Sequence, residues 1–427
     1  MQSREDLVPI LLANANYYGT LAAVRSLGRA GIQVTTLDPS RLSLGGYSRY
    51  TRHRLRCPDF NRSSEWAEWL MQVGRSGPRS AIYATSDAVL FAIALHRDEL
   101  SKSFALYQPG LETVVKILDK GKLFESAMEV GVETPETWLP TTADEAGRIA
   151  RDVGGQLLIK PRSQLSQRSL TKGAVVEGNE KQVRAMFNAY LKNASHGSEF
   201  AKANPEGLTP LVQRFYPEAL DSVYSLTGFR DMNGQMVLRG ARKLLQIPRN
   251  VGVGLCFEEA PVDAELAESA SRLCEHIGYF GVFEMEFIIA GRKRMLIDFN
   301  GRFYGQMALD IARGMDLPAL AYAAATGAPE ALSRLMAKDI VRRDHLDKAF
   351  HHGFALKLTI NMQRALGSMS REEVDRWRAW STGAGLSAVD AVHDHEDPLP
   401  RVVDVTRYFL NLVRHPRAFV RQHGLAK

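Results

Sequence analysis

Short apolar runs alternate with amphipathic segments over the first hundred residues of the chain. The runs 8–13, 32–37 and 80–84 have the length of buried strands, and the segments 18–30 and 87–95 have the apolar spacing of helices. Alternation of strand and helix brings successive strands together in parallel, with helices on both faces of the sheet. The pattern therefore predicts a parallel α/β sheet in this part of the chain.

A different pattern begins near residue 110. Helical spacing at 120–130 is followed by a short apolar strand at 157–161, and alternating apolar and polar positions then indicate a mainly β region. Its predicted strands are 211–216, 222–229, 235–245, 281–289 and 294–299, with one helix at 264–277. Helical spacing returns at 303–336 and continues through most of 340–427. We therefore expect four parts, which are residues 1–110, 111–210, 211–335 and 336–427.

The composition is that of an ordinary globular protein. The chain has 427 residues, of which 45% are hydrophobic and 24% are charged, and this mixture excludes collagen, coiled coil and intrinsic disorder. Its three cysteines form no CxxC pair, so the sequence offers neither a disulfide framework nor a cysteine zinc site. No apolar run approaches the length of a transmembrane segment, about 18 residues, and the first residues lack the pattern of a signal peptide. We expect a soluble, cytoplasmic protein.

Positive charge is concentrated in two stretches. The net charge is +6, and residues 401–427 contain six arginines and lysines against Asp404 alone. Apolar residues between these cations leave two interpretations. The first, which we favour, is a helix that packs on the protein body with a solvated cationic face; the second is a basic amphipathic helix in peripheral contact with an acidic membrane. We interpret the arginine-rich stretch 41–56 as a solvated loop, and we predict no nucleic-acid partner because no recognition motif accompanies the charge.

Two alternating runs separated by a short polar turn predict a β-hairpin with chemistry on one face. If the strands pair symmetrically about Arg292, Glu286 lies opposite Asp298 and Glu284 lies opposite Asn300. Alternation then places these four polar side chains on one face and six apolar side chains on the other. The six are Met285, Phe287, Ile289, Met295, Ile297 and Phe299. Opposed carboxylates repel unless a cation lies between them, and Asp, Glu and Asn oxygens suit Mg²⁺. The hairpin therefore predicts a magnesium site, with a solvated face as the alternative.

Several motifs of the chain, over roughly residues 1–330, resemble those of the ATP-grasp superfamily and follow its order. They are Asp119-Lys120, Leu-Ile-Lys160-Pro161, the strand 211–216, Arg242-Lys243, and the group Glu286, Asp298, Asn300 and Arg302. Within the superfamily the chain resembles stand-alone carboxylate–amine ligases of the D-aspartate ligase kind at residues 83–87, 223–228 and 298–304.

This resemblance implies an α/β ATP-grasp fold. Residues 1–110 would form an N-terminal Rossmann-like parallel-sheet domain, and 111–210 a linker helix and a central lid subdomain. Residues 211–335 would form the antiparallel-sheet ATP-grasp core with the Mg²⁺ and ATP site. The rest, 336–427, would be an α-rich C-terminal segment with the basic tail.

The resemblance also implies a role for each motif residue. Lys120 and Lys160 would bind the α- and β-phosphates, and Lys243 with Arg242 would reach the γ-phosphate. Gln213 would contact adenine and Asp221 the ribose. Glu286, Asp298 and Asn300 would hold two Mg²⁺ ions, with Mn²⁺ as a substitute, and Arg302 would bind the carboxylate and the acyl-phosphate formed from it.

The implied activity is an ATP-dependent ligase that joins a carboxylate to an amine through an acyl-phosphate and releases ADP and phosphate. A small-molecule kinase and a nucleotide-binding protein without turnover remain as alternatives. The lid loop after Lys160 departs from the family because it has no glycine before Gly173, and Arg214 stands where an acid often occurs. The substrates and a homodimer stay open. Candidate acceptor residues are Tyr17, Tyr18, Tyr304 and the loop 391–397, whose His393 and His395 we interpret as part of an exposed acidic loop.

Overall fold

A computed structural model describes residues 7–168, 172–247, 252–341 and 348–424. The strands are β1 (Ile10–Leu12), β2 (Val34–Asp38), β3 (Thr51–Arg56), β4 (Ser80–Tyr83), β5 (Phe104–Leu106), β6 (Thr137–Trp138), β7 (Gln156–Pro161), β8 (Ala174–Glu177), β9 (Pro210–Arg214), β10 (Val223–Arg230), β11 (Met236–Ile247), β12 (Val253–Ala260), β13 (Gly281–Ala290), β14 (Lys293–Asn300), β15 (Ala349–His351) and β16 (Val389–Asp390).

The helices are α1 (Tyr18–Arg29), α2 (Ser63–Ser76), α3 (Asp87–Leu95), α4 (Arg97–Leu100), α5 (Leu111–Leu118), α6 (Lys120–Glu129), α7 (Ala143–Val153), α8 (Glu180–Lys192), α9 (Glu199–Ala203), α10 (Ala264–His276), α11 (Met307–Ala312), α12 (Leu317–Ala325), α13 (Pro329–Val341), α14 (Gly353–Ala365), α15 (Arg371–Thr382), α16 (Leu399–Arg414) and α17 (Pro416–Gly424).

The first sheet is parallel, with strand order β3-β2-β1-β4-β5. Alternate residues of β1 enter two different cores. Ile10 and Leu12 pack with Leu27 of α1, whereas Leu11 packs with Trp66 of α2. Both faces of the sheet are therefore covered, which confirms the predicted parallel α/β arrangement.

Strand β3 corrects the interpretation of residues 41–56 as a loop. Thr51–Arg56 pairs with β2 at the edge of the sheet, and all but its first residue are exposed. The sequence TRHRLR lacks the apolar alternation of a half-buried strand, in keeping with the exposure of five of its six residues. Arginines at such an edge discourage pairing with another chain.

A four-stranded sheet follows, with order β6-β9-β7-β8 and antiparallel pairing throughout. Leu157 and Ile159 of β7 pack against Ala146 of α7 and Phe187 of α8. Strand β9 pairs with β7 and thus belongs to this sheet, although the predicted boundary at 210/211 assigns four of its five residues to the next part. The four predicted parts otherwise stay a prediction.

The largest sheet has seven strands in the order β14-β13-β10-β11-β12-β15-β16. All its neighbours are antiparallel except β15 and β16. The sequence analysis did not predict β12, in which four consecutive residues, 254–257, are buried and therefore show no alternation. Phe283, Met285 and Phe287 of β13 fill a core beneath the sheet with helices α6 and α10.

Helix α16 agrees with the favoured interpretation of the basic tail in its packing on the protein body, but not in the composition of its outward face. Its buried residues are Pro400, Val403 and Asp404, and Val403 packs against Leu21 of α1. The sequence predicts an outward face that is solvated and cationic. In the structure, Val402, Phe409 and other large apolar residues are also exposed on this face. The tail thus packs on the body as predicted, but with much of its apolar surface turned outward.

Two predictions from composition can be compared with the structure. All three cysteines are free thiols and buried. Within the described ranges, no helix combines the length and the hydrophobicity needed to cross a bilayer.

Candidate active site

A cavity of about 270 Å³ lies between the four-stranded and the seven-stranded sheets. Lys160 of β7 and Gln213 of β9 line one wall, and β11, β13 and β14 line the other. Most of the residues proposed for chemistry from the sequence point into it. The charged lining residues are Asp87, Lys120, Lys160, Lys172, Arg214, Lys243, Glu284, Glu286, Asp298 and Arg302.

The hairpin of β13 and β14 has the predicted cross-strand pairs, Glu286 with Asp298 and Glu284 with Asn300. Its turn is tighter than the predicted segment 290–294, because Ala290 already pairs with Lys293 across a turn in which Gly291 has a φ of +60°. A register shift next to Glu286 adds one residue to β14 and compensates for the short turn.

The added residue changes which side chains reach the core. Leu296, not Ile297, is fully buried with Met285 and Phe287 in the core, and Ile297 lines the cavity instead. The predicted apolar face was therefore wrong at Ile297 and also at Met295, which pairs with the cavity residue Ile288. A bulge lets two neighbouring residues depart from strict alternation, so period-two counting fails locally.

Two lysines form ion pairs with the opposed carboxylates. The ammonium of Lys120 lies 2.5 Å from Oδ1 of Asp298, and Lys243 forms an ion pair with Glu286. Burial alone would raise the pKa of Asp298, but Lys120 outweighs it and, with Lys172 and Lys160, holds that pKa well below its usual range. The site therefore keeps Asp298 ionised and holds cations against its carboxylates.

Two further lysines enter the cavity from the four-stranded sheet and the lid loop. Burial, aided by repulsion from Lys120, lowers the pKa of Lys160 to about 7, and burial also lowers the pKa of Lys172. An ammonium with a lowered pKa lacks sufficient negative charge nearby. The cavity thus favours an anionic ligand that would face all four lysines.

Lys120 is positioned by a buried polar network that sequence analysis did not identify. Asp119 is fully buried and caps α6 by accepting hydrogen bonds from the backbone N–H groups of Gly121 and Lys122. Its carboxylate also accepts from Nε of Arg162 at 2.7 Å and from Nδ2 of Asn204 at 2.6 Å. The network ties the start of α6 to the lid loop, since the N–H of Lys120 donates to the carbonyl of Arg162.

Arg302 closes one end of the cavity, where the first sheet meets the hairpin. Its Nε donates to Asp87 at 2.7 Å, and its other nitrogens donate to Asn300 at 2.7 Å and to the hydroxyl of Tyr17 at 3.2 Å. Burial would lower the pKa of Arg302, but Asp87 keeps it raised. Tyr17 was one of several unranked candidates, and Asp87 was quoted only within a motif of the resemblance.

Glu284 is a cavity carboxylate that the hairpin pattern places on the polar face but to which the family resemblance assigns no role. Its oxygens accept hydrogen bonds from the side-chain amides of Gln306 and Asn300. Burial, with repulsion from Glu286, raises the pKa of Glu284 to about 7. The sequence places Glu284 on the correct face, but only the structure shows its burial.

Comparison with known proteins identifies the fold. No family model matches the chain. The chain resembles the biotin carboxylase domain of Hydrogenobacter thermophilus 2-oxoglutarate carboxylase, with a TM-score of 0.59, 18% identity, and coverage of 75% of this chain and 70% of that chain. It also resembles N5-carboxyaminoimidazole synthetase of Staphylococcus aureus, with a TM-score of 0.54, 16% identity, and coverage of 71% and 73%. Both are ATP-grasp enzymes. The chain has the ATP-grasp fold.

A third structure and a sequence relative agree with this fold. Biotin carboxylase of Campylobacter jejuni superimposes with a TM-score of 0.58 and 16% identity, covering 76% of this chain and 72% of that chain. The carbamoyl phosphate synthase large chain of Helicobacter pylori (strain J99) is 21% identical over 213 residues, 48% of this chain. That match spans only 18% of the length of the curated relative.

The ATP-grasp residues expected from the sequence do not all reach the cavity. Gln213 does, and its Nε2 donates to the hydroxyl of Thr137 at 2.8 Å. Asp221 is exposed next to a short 3₁₀ turn and does not line the cavity, and Arg242 points away from it toward Glu258. Adjacent residues of a strand face opposite sides, so Lys243 and Arg242 cannot both point inward.

The remaining acceptor candidates lie elsewhere in the ATP-grasp structure. The hydroxyl of Tyr304 donates to Asp310 in the core, and Tyr18 contacts Asp404 of α16. The loop 391–397 packs on α1 and on the connection between β2 and β3, because Asp397 accepts from Arg25 and Ser48. The interpretation of this loop as exposed was therefore wrong at Ala391, Val392 and Asp397, which are buried. That loop has a structural role in this arrangement.

The hairpin donors fit a metal ion that is shared with a ligand. Within the described parts of the chain, no three His, Cys, Asp or Glu side chains converge to hold a metal by themselves. Glu286 and Asp298 nevertheless face each other across two strands, and each already holds a cationic lysine. Oxygen donors of this kind suit Mg²⁺, which typically completes its coordination with phosphates and water.

Proposed function

We propose that the chain is an ATP-dependent ligase that joins a carboxylate to an amine through an acyl-phosphate and releases ADP and phosphate. One observation carries the proposal. Four lysines, an opposed carboxylate pair and Arg302 converge on a single cavity between the two sheets of an ATP-grasp fold.

The triphosphate would lie among Lys120, Lys160, Lys172 and Lys243. Phosphoryl transfer needs this many cations because nearly four negative charges must be neutralised before an anionic carboxylate can approach the γ-phosphorus. Lys120 and Lys243 would exchange their carboxylate partners for phosphate oxygens when nucleotide binds. The adenine would lie near Gln213 and the residues that follow it, Phe215 and Tyr216, which also line the cavity.

Glu286, Asp298 and Asn300 would hold the metal. When bound, Mg²⁺ neutralises phosphate charge and aligns the β- and γ-phosphates. Two ions, and substitution by Mn²⁺, belong to this proposal. In the arrangement described above, Oδ1 of Asn300 accepts a hydrogen bond from Arg302, and the second lone pair of this oxygen would bind the metal.

In the first proposed step a carboxylate oxygen attacks the γ-phosphorus, the bond to the β,γ-bridging oxygen breaks, and ADP leaves. In the second step the amine attacks the acyl carbon, phosphate departs, and the nitrogen loses a proton. Arg302 lies beside Asn300 and would stabilise the carboxylate, the acyl-phosphate and the tetrahedral oxyanion. Asp87 and Tyr17 would hold the guanidinium in place.

The neighbours widen the range of acids to be tested. The Hydrogenobacter thermophilus domain was solved with MgADP and bicarbonate, and as a dimer. Bicarbonate therefore belongs in the panel beside amino acids and other carboxylates. Homodimer formation and a cytoplasmic location stay predictions for this chain.

A substrate screen tests the proposal. The purified chain is incubated with Mg²⁺, ATP and a panel of acids and amines, and nucleotides are separated by chromatography. We expect substrate-dependent ADP and phosphate, and formation of a hydroxamate when hydroxylamine replaces the amine. AMP would contradict attack at the γ-phosphorus. A stable phosphorylated product would instead support a kinase, and no turnover with any pair would favour a non-catalytic nucleotide-binding protein.

A matched pair of variants connects turnover to the cavity. Asp298→Asn removes one charge from the carboxylate pair, whereas Asp221→Asn makes the same change outside the cavity. We expect Asp298→Asn to abolish turnover and Asp221→Asn to retain it. Equal activity of the two variants would remove Asp298 from the mechanism.

A further inference from the structure

The outward face of α16 is unusually apolar. Leu399, Val402, Phe409 and Val413 expose 56%, 60%, 64% and 62% of their surface. Val405 and Leu412 are exposed on the same helix. Single exposed apolar residues are normal on a protein surface, but six on one helix form a patch.

These side chains form one continuous stripe. At about 100° per residue, the six exposed residues fall within an arc of about 140°, and they extend over about 21 Å of helix. The opposite side, with Pro400, Val403 and Asp404, contacts the protein body. The helix therefore presents its more apolar face outward, the reverse of an ordinary surface helix.

Exposed cations lie at both ends of α16 and continue on α17. Arg401 and Arg414 lie near the two ends of α16, and Arg417 and Arg421 follow on α17; all four are exposed. Asp404 is the only acidic residue between positions 399 and 424, and it is buried beside the hydroxyl of Tyr18. Helices α16 and α17 thus combine apolar area with positive charge, and neither helix carries an exposed acid.

The charge argues against a second copy of the chain as the partner. In a parallel pairing of two α16 helices, Arg401 would approach Arg401 and Arg414 would approach Arg414. In an antiparallel pairing Arg401 would approach Arg414. Like charges meet in both cases, and neither helix supplies an acid to compensate.

We propose that α16 and α17 form a docking surface for a lipid bilayer that carries anionic headgroups. The stripe lies in the interface with Val402, Phe409 and Val413 among the upper acyl chains, and the arginines contact headgroup phosphates. This is peripheral binding by one helix face, and it is independent of the proposed ligase activity.

Vesicle sedimentation with the full chain tests the docking surface. We expect binding to vesicles of equal parts phosphatidylglycerol and phosphatidylcholine, weak binding to pure phosphatidylcholine, and weakening by high salt. Val402→Ser/Phe409→Ser is expected to lower the partition coefficient about tenfold or more. The control, Met128→Ser/Met232→Ser, changes two residues of similar exposure, 60% and 68%, far along the chain and is expected to bind normally.

A second variant pair tests the charge. Arg414→Gln/Arg417→Gln is expected to weaken binding to the anionic vesicles, whereas Arg75→Gln/Arg79→Gln, which also removes two exposed arginines, is expected to leave binding unchanged. Circular dichroism and thermal melting verify that each variant is folded.

Three results would overturn the proposal. They are absence of binding to anionic vesicles, equal loss of binding in test and control variants, and a dimer in sedimentation equilibrium that dissociates when Val402 and Phe409 are replaced. The last result would assign the surface to a second copy of the chain.

Discussion

At the level of single residues, Lys160 shows why the cavity favours an anionic ligand. Its ammonium is buried near Lys120, and the acids Asp298 and Glu286 only partly offset the cost, so its pKa lies at about 7. Phosphate oxygens beside it would favour the charged form and raise this pKa. Nucleotide binding should therefore be coupled to protonation of Lys160.

We predict that nucleotide affinity falls as pH rises above about 7. Below that pH Lys160 is already charged before binding; above it, binding must take up a proton, so Kd should increase by up to about tenfold per pH unit. Calorimetry in buffers of different ionisation enthalpy would measure the proton uptake. Lys160→Met should bind more weakly and lose this pH dependence, and Lys202→Met, at an exposed position, should retain it. An identical pH slope in both variants would assign the titration to another group.

Lys243 and Arg242 permit a test within two adjacent residues. Lys243 lies in the cavity beside Glu286, and Arg242 is exposed on the other face of β11. We predict that Lys243→Met lowers kcat/KM about 100-fold or more, because a preorganised cation is lost at the transferring phosphate. Arg242→Met should change it by less than about twofold. Steady-state ADP release measures both, and a larger loss in Arg242→Met would reverse the assignment.

We expect Asp119 to contribute mainly to the stability of the fold and only indirectly to the reaction. Asp119→Asn keeps the size of the side chain but leaves the buried guanidinium of Arg162 without its counter-ion. We predict that the free energy of unfolding falls by about 3–5 kcal/mol, as for other broken buried ion pairs. Urea denaturation measures it. Asp375→Ala, which breaks an exposed pair with Arg378, should leave the free energy of unfolding unchanged within error.

At the level of elements, the hairpin shows how much of the strand register can be predicted from the alternation of polar and apolar residues. The pairs Glu286–Asp298 and Glu284–Asn300 follow from the sequence because period-two alternation and a buried face restrict the register. The two-residue turn and the bulge at Ile297 could not be predicted from the sequence. They shift the register in opposite directions, so the prediction held at the functional pairs and failed between them.

Strand β3 shows why an edge element is hard to predict and leads to a further test. Its sequence is suited to preventing edge-to-edge pairing with another chain and not to burial in a core. Arg52, Arg54 and Arg56 are exposed along the free edge of the sheet. We predict that replacing these three arginines with glutamine increases self-association, seen by light scattering at rising protein concentration. The same replacement at Arg371, Arg376 and Arg378 of α15 removes equal charge without exposing an edge and should not increase it.

At the level of the whole molecule, the site is assembled from all three sheets. Asp87 follows β4 of the first sheet, Lys160 belongs to the four-stranded sheet, and Arg302 follows β14 of the seven-stranded sheet. Residues on paired strands could be related by register, but the contact between Asp87 and Arg302 joins positions 215 residues apart. Local pattern carries no information about such a contact, which is why Asp87 and the Asp119 network were not identified and Tyr17 stayed an unranked candidate.

The same assembly predicts how the molecule responds to removal of divalent metal. Lys120 and Lys243 pair with Asp298 and Glu286, so the carboxylates do not need a metal for the fold to be stable. Addition of EDTA should therefore abolish ATP turnover and leave the melting temperature unchanged.

Nucleotide with Mg²⁺ binds only the folded state and, at 100 times its Kd, should raise the melting temperature by about 3 °C, more than nucleotide with EDTA. Differential scanning fluorimetry and ADP release on the same samples measure both effects. A fall in melting temperature with EDTA alone would mean that the metal stabilises the fold, and turnover that survives EDTA would remove it from the reaction.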